Sequence, residues 1–212
     1  MRVKRKGVWN FNFAYAIGLL VTDGNLSKDG RHIDFTSKDK EQINNLARIL
    51  KINNKIGIKY SGSGQKSFRI QFGNVLLYKF LMNIGIGPRK SKSLSAIKIP
   101  EKYFFDFLRG HFDGDGTFYS YFDPRWKSSF MLYLEFISGS KSHIMWLQNK
   151  ILKHAKIEGK ITKSKNNSAY RLKFAKYASL QILPKIYYHK SIISLKRKQI
   201  KIERALKIAN KF

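Results

Sequence analysis

One segment of this chain is written twice. Phe13–Asn25 reads FAYAIGLLVTDGN and Phe104–Phe118 reads FFDFLRGHFDGDGTF. Each is an apolar helical stretch with a glycine in its middle and an Asp-Gly near its end. The two aspartates, Asp23 and Asp115, stand 92 positions apart. Further pairs follow in the same order. IDFTSKDK (33–40) matches LEFISGSK (134–141), SFRIQF (67–72) matches AYRLKF (169–174), and IGPRKS (86–91) matches YYHKS (187–191), at offsets of 101, 102 and 100. Four ordered matches at nearly constant offset mark an internal duplication. The offset widens after Asp115, so copy two has the longer connection there, around YFDPRWKSS.

The periodicities give each copy the order helix, two strands, helix, two strands, helix. The first helices are expected at 11–22 and 101–113, with Pro100 suited to the start of the second. Strands follow within 26–37 and 117–138, then helices at 38–50 and 141–154. Hairpins turn at SGSGQ and KSKNNS, and helices at 74–83 and 177–185 close the copies. SLKRKQIKIERALKIANK adds a basic helix at the end. The fold class expected is α/β (α+β), two pseudosymmetric αββαββα repeats with the first helices packed at the interface. The N-terminal half is 1–92, with a basic arm at 1–8 and a linker at about 84–100, and the C-terminal half is 100–212.

The formal charge of +29 on 212 residues points to a polyanion as partner, nucleic acid first and an anionic membrane second. No stretch approaches the roughly 20 apolar residues of a membrane span, and the basic start is not followed by a secretory apolar region. Cysteine is absent, which excludes disulfides and thiolate metal sites. The expectation is an intracellular protein with no membrane partner and no implied protein partner. The five histidines are scattered without zinc spacing.

Strand alternation places Arg69 and Gln71 among Phe68, Ile70 and Phe72, and Arg171 and Lys173 among Tyr170, Leu172 and Phe174. Lys160, Thr162 and Lys163 lie in the opposing strand. Such a face suits groove reading, since Arg and Lys contact guanine and phosphates and Gln contacts adenine. A merely solvated face is the alternative. Lys90 and Lys190 recur in the repeat and suit either a phosphate contact or solvent. Trp9, Trp126 and Trp146 suit the core or DNA flanks.

Aspartate is unfavourable at the negative end of a helix. Asp-Gly there has an innocent reading, with Gly as cap, but the same placement in both copies weakens it. Two helices packed about a pseudo-twofold axis, with Gly18 and Gly110 allowing close approach, would bring both carboxylates together. A hard divalent cation relieves that cluster, and oxygen-only ligands favour Mg²⁺. Metal-assisted phosphodiester hydrolysis is the chemistry that follows.

AIGLLVTDG (16–24) and LRGHFDGDG (108–116) resemble the two motifs of the LAGLIDADG homing endonucleases, in the monomeric two-motif subclass. Val21 departs from the motif's first Asp, which Asp113 keeps. Arg109 and His111 replace small or apolar residues. The resemblance implies that Asp23 and Asp115 ligate divalent metal with the carbonyls of Thr22 and Gly114. It implies Mg²⁺ or another cation such as Mn²⁺, with Ca²⁺ supporting binding. Four strands per half would form a saddle over the major groove of double-stranded DNA, on a nearly asymmetric site of about two helical turns. Cleavage would leave short 3′ overhangs. Lys173 and, by the repeat, Gln71 match the family's active-site Lys or Gln. Ser37 and Ser138 match polar positions that organise water. The DNA-binding set is then Arg69, Gln71, Arg171, Lys173, Lys160, Lys163, Ser37 and Ser138.

Two functions compete. One is a site-specific endonuclease, expected to be intron-encoded because neither end carries splicing residues. The other is an RNA maturase acting on intron RNA, or a DNA-binding regulator on the same fold without cleavage. The carboxylate pair favours the first.

Overall fold

The computed structural model describes residues 9–62, 64–164 and 168–209. The basic arm 1–8, the tip of the second KSKNNS hairpin and the last residues of the basic helix lie outside them. Copy one runs α1 (Phe11–Asp23), β1 (Gly24–Leu26), β2 (His32–Ser37), α2 (Lys40–Leu50), β3 (Gly57–Tyr60), β4 (Lys66–Gly73) and α3 (Val75–Ile84). A short helix, α4 (Lys90–Ser93), and a 3₁₀ turn (Glu101–Tyr103) follow. Copy two runs α5 (Phe104–Asp115), β5 (Thr117–Phe122), β6 (Phe130–Ser138), α6 (Lys141–Ala155), β7 (Lys160–Lys163), β8 (Tyr170–Phe174) and α7 (Lys176–Ile186). The chain then ends in α8 (Lys196–Ala209). The duplication is therefore structural, and the expected linker holds a helix of its own.

Each copy forms a four-stranded antiparallel sheet with the same order, β1-β2-β4-β3 and β5-β6-β8-β7. The registers also correspond. Asp34 faces Gln71 on β4 as Glu135 faces Lys173 on β8. Local chemistry sets the helix starts. Asn10, Asn74 and Ser140 each accept a hydrogen bond from the backbone N–H three residues on, leaving fewer orphan donors in the first turn.

α1 and α5 cross at two glycines. A Cβ on Gly18 would lie 2.2 Å from the Phe107 carbonyl oxygen, and one on Gly110 would lie 2.0 Å from that of Tyr15. Only hydrogen fits, so the backbones touch and the two helix ends are brought together. Around them the buried side chains of both copies form one apolar core, not two. Ile17, Leu19 and Leu20 from α1 meet Phe104, Phe107 and Phe112 from α5 within it.

The segments that trail each copy cross to the other. After copy one, Leu94 O accepts from Ser140 Oγ and Ser95 O from His143 Nδ1 (2.8 Å), both at the start of α6. After copy two, Ser194 O accepts from Asn45 Nδ2 (3.1 Å) and Arg197 pairs with Asp39 (2.7 and 2.8 Å), at the start of α2.

Candidate active site at the crossed helix ends

The last residues of α1 and α5 are Asp23 and Asp115. A Cβ on Gly114 would stand 2.8 Å from Asp23 Oδ2 and 2.0 Å from Thr22 Oγ1, so copy two's backbone abuts copy one's carboxylate. Thr22 Oγ1 lies 3.1 Å from Asp23 Oδ2 and 2.9 Å from Leu19 O, between two acceptors. Burial, and then the charge of Asp115, push the Asp23 carboxyl up to about 7. Asp115 reaches solvent but is ringed by protein, and that desolvation raises its pKa too, against the pull of Lys90 and Lys198. The structure thus brings the two expected carboxylates to the same pair of helix ends, where burial and the charge of Asp115 disfavour ionisation of Asp23.

Two lysines, Lys90 buried and Lys198 half-buried, close the helix ends. Lys90 Nζ, on α4, donates to Gly24 O and reaches Thr22 O at 3.3 Å. Lys198 Nζ, on α8, reaches Phe112 O (2.6 Å), Asp113 O (2.9 Å), Gly116 O (2.7 Å) and Gly114 O (3.4 Å). Each cation meets the carbonyls that a helix C-terminus leaves unpaired. Burial pulls both ammonium groups down to about 8, and the aspartates oppose the fall. Lys90 is therefore buried rather than in solvent, and its counterpart at the other helix end is Lys198. Lys190 is exposed. The signal that pairs them is the dipeptide Arg89-Lys90 with Arg197-Lys198, at an offset of 108 that the YYHKS match hides.

Lys173 and Gln71 lie elsewhere. Lys173 Nζ stands 3.8 Å from Glu135 Oε1 and 4.1 Å from the centre of the Tyr133 ring. Gln71 is exposed on β4. Both share the sheet face turned away from the helices, with Arg69, Arg171 and Lys160. Arg69 is held there by Asp34, with Nε 2.7 Å from Oδ2. Three expected groove residues are not on that face. Ser37 and Ser138 are buried on the helix side, where Ser37 Oγ donates to Gln42 Oε1 (2.6 Å) and Ser138 Oγ accepts from Ser140 N (3.2 Å). They fix the turns into α2 and α6. Lys163 pairs with Tyr170 one step out of phase with Lys160 and Thr162, and so falls on the opposite face at a strand end.

The histidines are not all scattered. His111 and His143 meet in the core with Nε2 atoms 3.1 Å apart. His143 Nδ1 donates to Ser95 O, so its Nε2 accepts from His111, leaving His111 Nδ1 without a partner among the described residues. Burial keeps both rings neutral. Trp9 packs on Phe13 and Phe80, Trp146 packs on Phe107, and Trp126 is 69% exposed at the β5–β6 turn.

A family model, the WhiA LAGLIDADG-like domain, matches residues 12–70 and 104–207. The chain belongs to this LAGLIDADG family. No curated protein sequence matches it. Among solved structures, full-length WhiA from Thermatoga maritima is 17% identical at a TM-score of 0.57, covering 96% of this chain and 70% of that one. The LAGLIDADG homing endonuclease I-LtrWI bound to target DNA is 13% identical at 0.59, covering 95% and 97%. I-GzeII in complex with its DNA target is 13% identical at 0.62, covering 96% and 92%. The two-repeat LAGLIDADG fold is thereby shown. Among the described residues, no helix is long and apolar enough to cross a membrane.

The donor set at the LAGLIDADG helix ends fits a divalent cation. It is all oxygen, and burial together with the neighbouring Asp115 charge pushes the Asp23 carboxyl up to about 7, a cost that a bound cation would offset. No cluster of three or more His, Asp or Glu forms among the described residues. A cation here would rest on Asp23 and Asp115, with the Thr22 and Gly114 carbonyls and water. Mg²⁺, which keeps several waters, suits so few protein ligands.

Proposed function

We propose that the chain binds duplex DNA across its two sheets and hydrolyses a phosphodiester in each strand at the Asp23–Asp115 pair, as a site-specific endonuclease leaving short 3′ overhangs. The observation that carries this reading is the pair itself: two carboxylates at the ends of helices whose backbones touch at Gly18 and Gly110, the charge of one disfavouring ionisation of the other. A core built for stability alone has no use for that repulsion. Bound between them, Mg²⁺ or Mn²⁺ would supply Lewis-acid chemistry at the phosphodiester and at water, and Ca²⁺ would support binding. The chain's own residues do the rest. Asp23 and Asp115 must ionise, and Lys90 and Lys198 favour that by lying beside them. The same ammonium groups offset the repulsion that two carboxylates alone would exert on an incoming phosphate. Arg69, Gln71, Arg171, Lys160 and Lys173 dock the duplex. Two solved neighbours hold DNA, which supports the partner.

The test is incubation with a randomised duplex library and Mg²⁺, then sequencing of cut ends. Wild type yields one enriched site, while Asp23→Asn and Asp115→Asn bind that site without full cleavage. Double-strand cutting by either variant overturns the assignment. A second reading, a DNA-binding regulator without cleavage, is favoured by the family model, which is that of WhiA. Retained site binding with no cut product in Mg²⁺ or Mn²⁺ establishes it. Tight binding to structured RNA with no cut product establishes the maturase.

A further inference from the structure

The two sheets present different chemistry to the same groove. On the outward face of copy one, β2 and β4 show Asp34, Thr36, Arg69 and Gln71, all polar. On that face of copy two, cross-strand neighbours Tyr119 and Tyr133 stack with ring centres 5.1 Å apart, and Tyr121 stacks on Tyr133 at 6.3 Å. Interplanar angles of 25° and 22° make the three rings one ladder. Their polar atoms are partly spent, since Tyr119 Oη donates to Glu135 Oε1 (3.1 Å). Lys173 caps the ladder from β8, 4.1 Å from the Tyr133 ring centre. The ladder grows outward with the hairpin. β5 has six residues where β1 has three, a difference of roughly 10 Å of strand. Tyr121, at the outer end, is 44% exposed.

An apolar strip with Lys160, Arg171 and Lys173 along one side fits a partner that carries an apolar feature beside an anionic edge. In the major groove that apolar feature is the thymine methyl group, which is read by apolar contact rather than by hydrogen bonds. We infer that copy two reads its half-site through thymine methyl contacts on the Tyr119–Tyr133–Tyr121 ladder, whereas copy one reads by hydrogen bonds. This rests on the DNA-binding part of the function proposed above. A ladder that only stabilises the hairpin would leave the bases unread.

The test uses the duplex that the full chain itself selects from a randomised library. That duplex is resynthesised with deoxyuridine for thymidine in one half-site at a time, which removes only the methyl groups. Affinity should fall by about fourfold for each contacted methyl in one half-site and stay unchanged for the other. Tyr121→Ser, at an exposed position, should reduce the difference between thymine and uracil, which assigns the sensitive half to copy two. Equal affinity for both duplexes, equal loss in both halves, or a difference undiminished by Tyr121→Ser overturns the inference while DNA binding stands. Failure to select any duplex overturns both.

Discussion

α1 and α5 cross as near-equals in backbone and are opposites in chemistry. Aligned on Gly18 and Gly110, Ile17, Leu19 and Val21 of α1 correspond to Arg109, His111 and Asp113 of α5. All six are buried. Arg109 and Asp113 tie down the segment that follows copy two, while His111 meets His143 of α6. Arg109 pairs with Asp106 (2.9 Å) and donates to Ile193 O (3.0 Å) and Ile186 O (3.2 Å). Its guanidinium also lies over Tyr15 and Tyr188. Asp113 accepts from Tyr15 Oη (2.9 Å), Tyr187 Oη and Leu195 N (2.7 Å). After copy one, the trailing segment is held by buried Ile86, Leu94 and Ile97 and by the hydrogen bonds of Ser140 and His143 to Leu94 O and Ser95 O. One crossing therefore carries a tail fastened by α5 side chains and a tail fastened by apolar burial and by the start of α6. The motif's first acidic position has become an anchor in α5, and in α1 it is a valine.

Substitution at matched positions should pull this comparison apart. The largest effect is expected at Arg109. Arg109→Met leaves Asp106 buried without its cation and should cost roughly 3–5 kcal/mol, against under about 1.5 kcal/mol for Ile17→Met; urea denaturation of both variants measures the gap. Gly18→Ala and Gly110→Ala come next, at roughly 3 kcal/mol each. These two should be alike, because each Cβ meets a carbonyl oxygen of the facing helix. A large inequality between them would show that the crossing is not symmetric.

Lys198→Met should cost about 2 kcal/mol and Lys90→Met about 1 kcal/mol, since Lys198 serves more carbonyls. Equal losses in thermal melts would remove that distinction. A pH-dependent effect concerns Asp23 in chelator, without metal. Its raised pKa means that the folded state keeps a proton the unfolded chain has released. Wild-type stability therefore declines as pH rises from the ordinary carboxylate value of 3.8 to about 7. Asp23→Asn has no such decline, so its melting temperature should match wild type near pH 4 and exceed it by roughly ten degrees at pH 8. A constant difference across that range would contradict the burial and repulsion at the helix ends.

The duplication, the element order, the touching glycines and the meeting of Asp23 with Asp115 are legible in the sequence. Each is local periodicity or a repeated word. What escapes it depends on packing between distant segments. Lys198 is hidden because α8 has no counterpart of equal length in copy one, so the lysine pair breaks the common offset. Ser37 and Ser138 look like groove residues until strand parity puts them under the helices. The contact of His111 with His143 spans 32 residues, and no spacing rule connects them. Arg109 stands out in sequence as a charge on an apolar helix, but its carbonyl partners come from the last residue of α7 and from the tail beyond it.

The crossed tails set a rule for anyone breeding new recognition into this scaffold. A hybrid gene that takes one half from a different relative mismatches three seams at once: the helix crossing, the tail of copy one on α6, and the tail of copy two on α2. Exchanges confined to the strands, with α2, α6 and both tails left native, disturb none of them. The scaffold thus favours inheritance of new specificity strand by strand over the trading of whole halves.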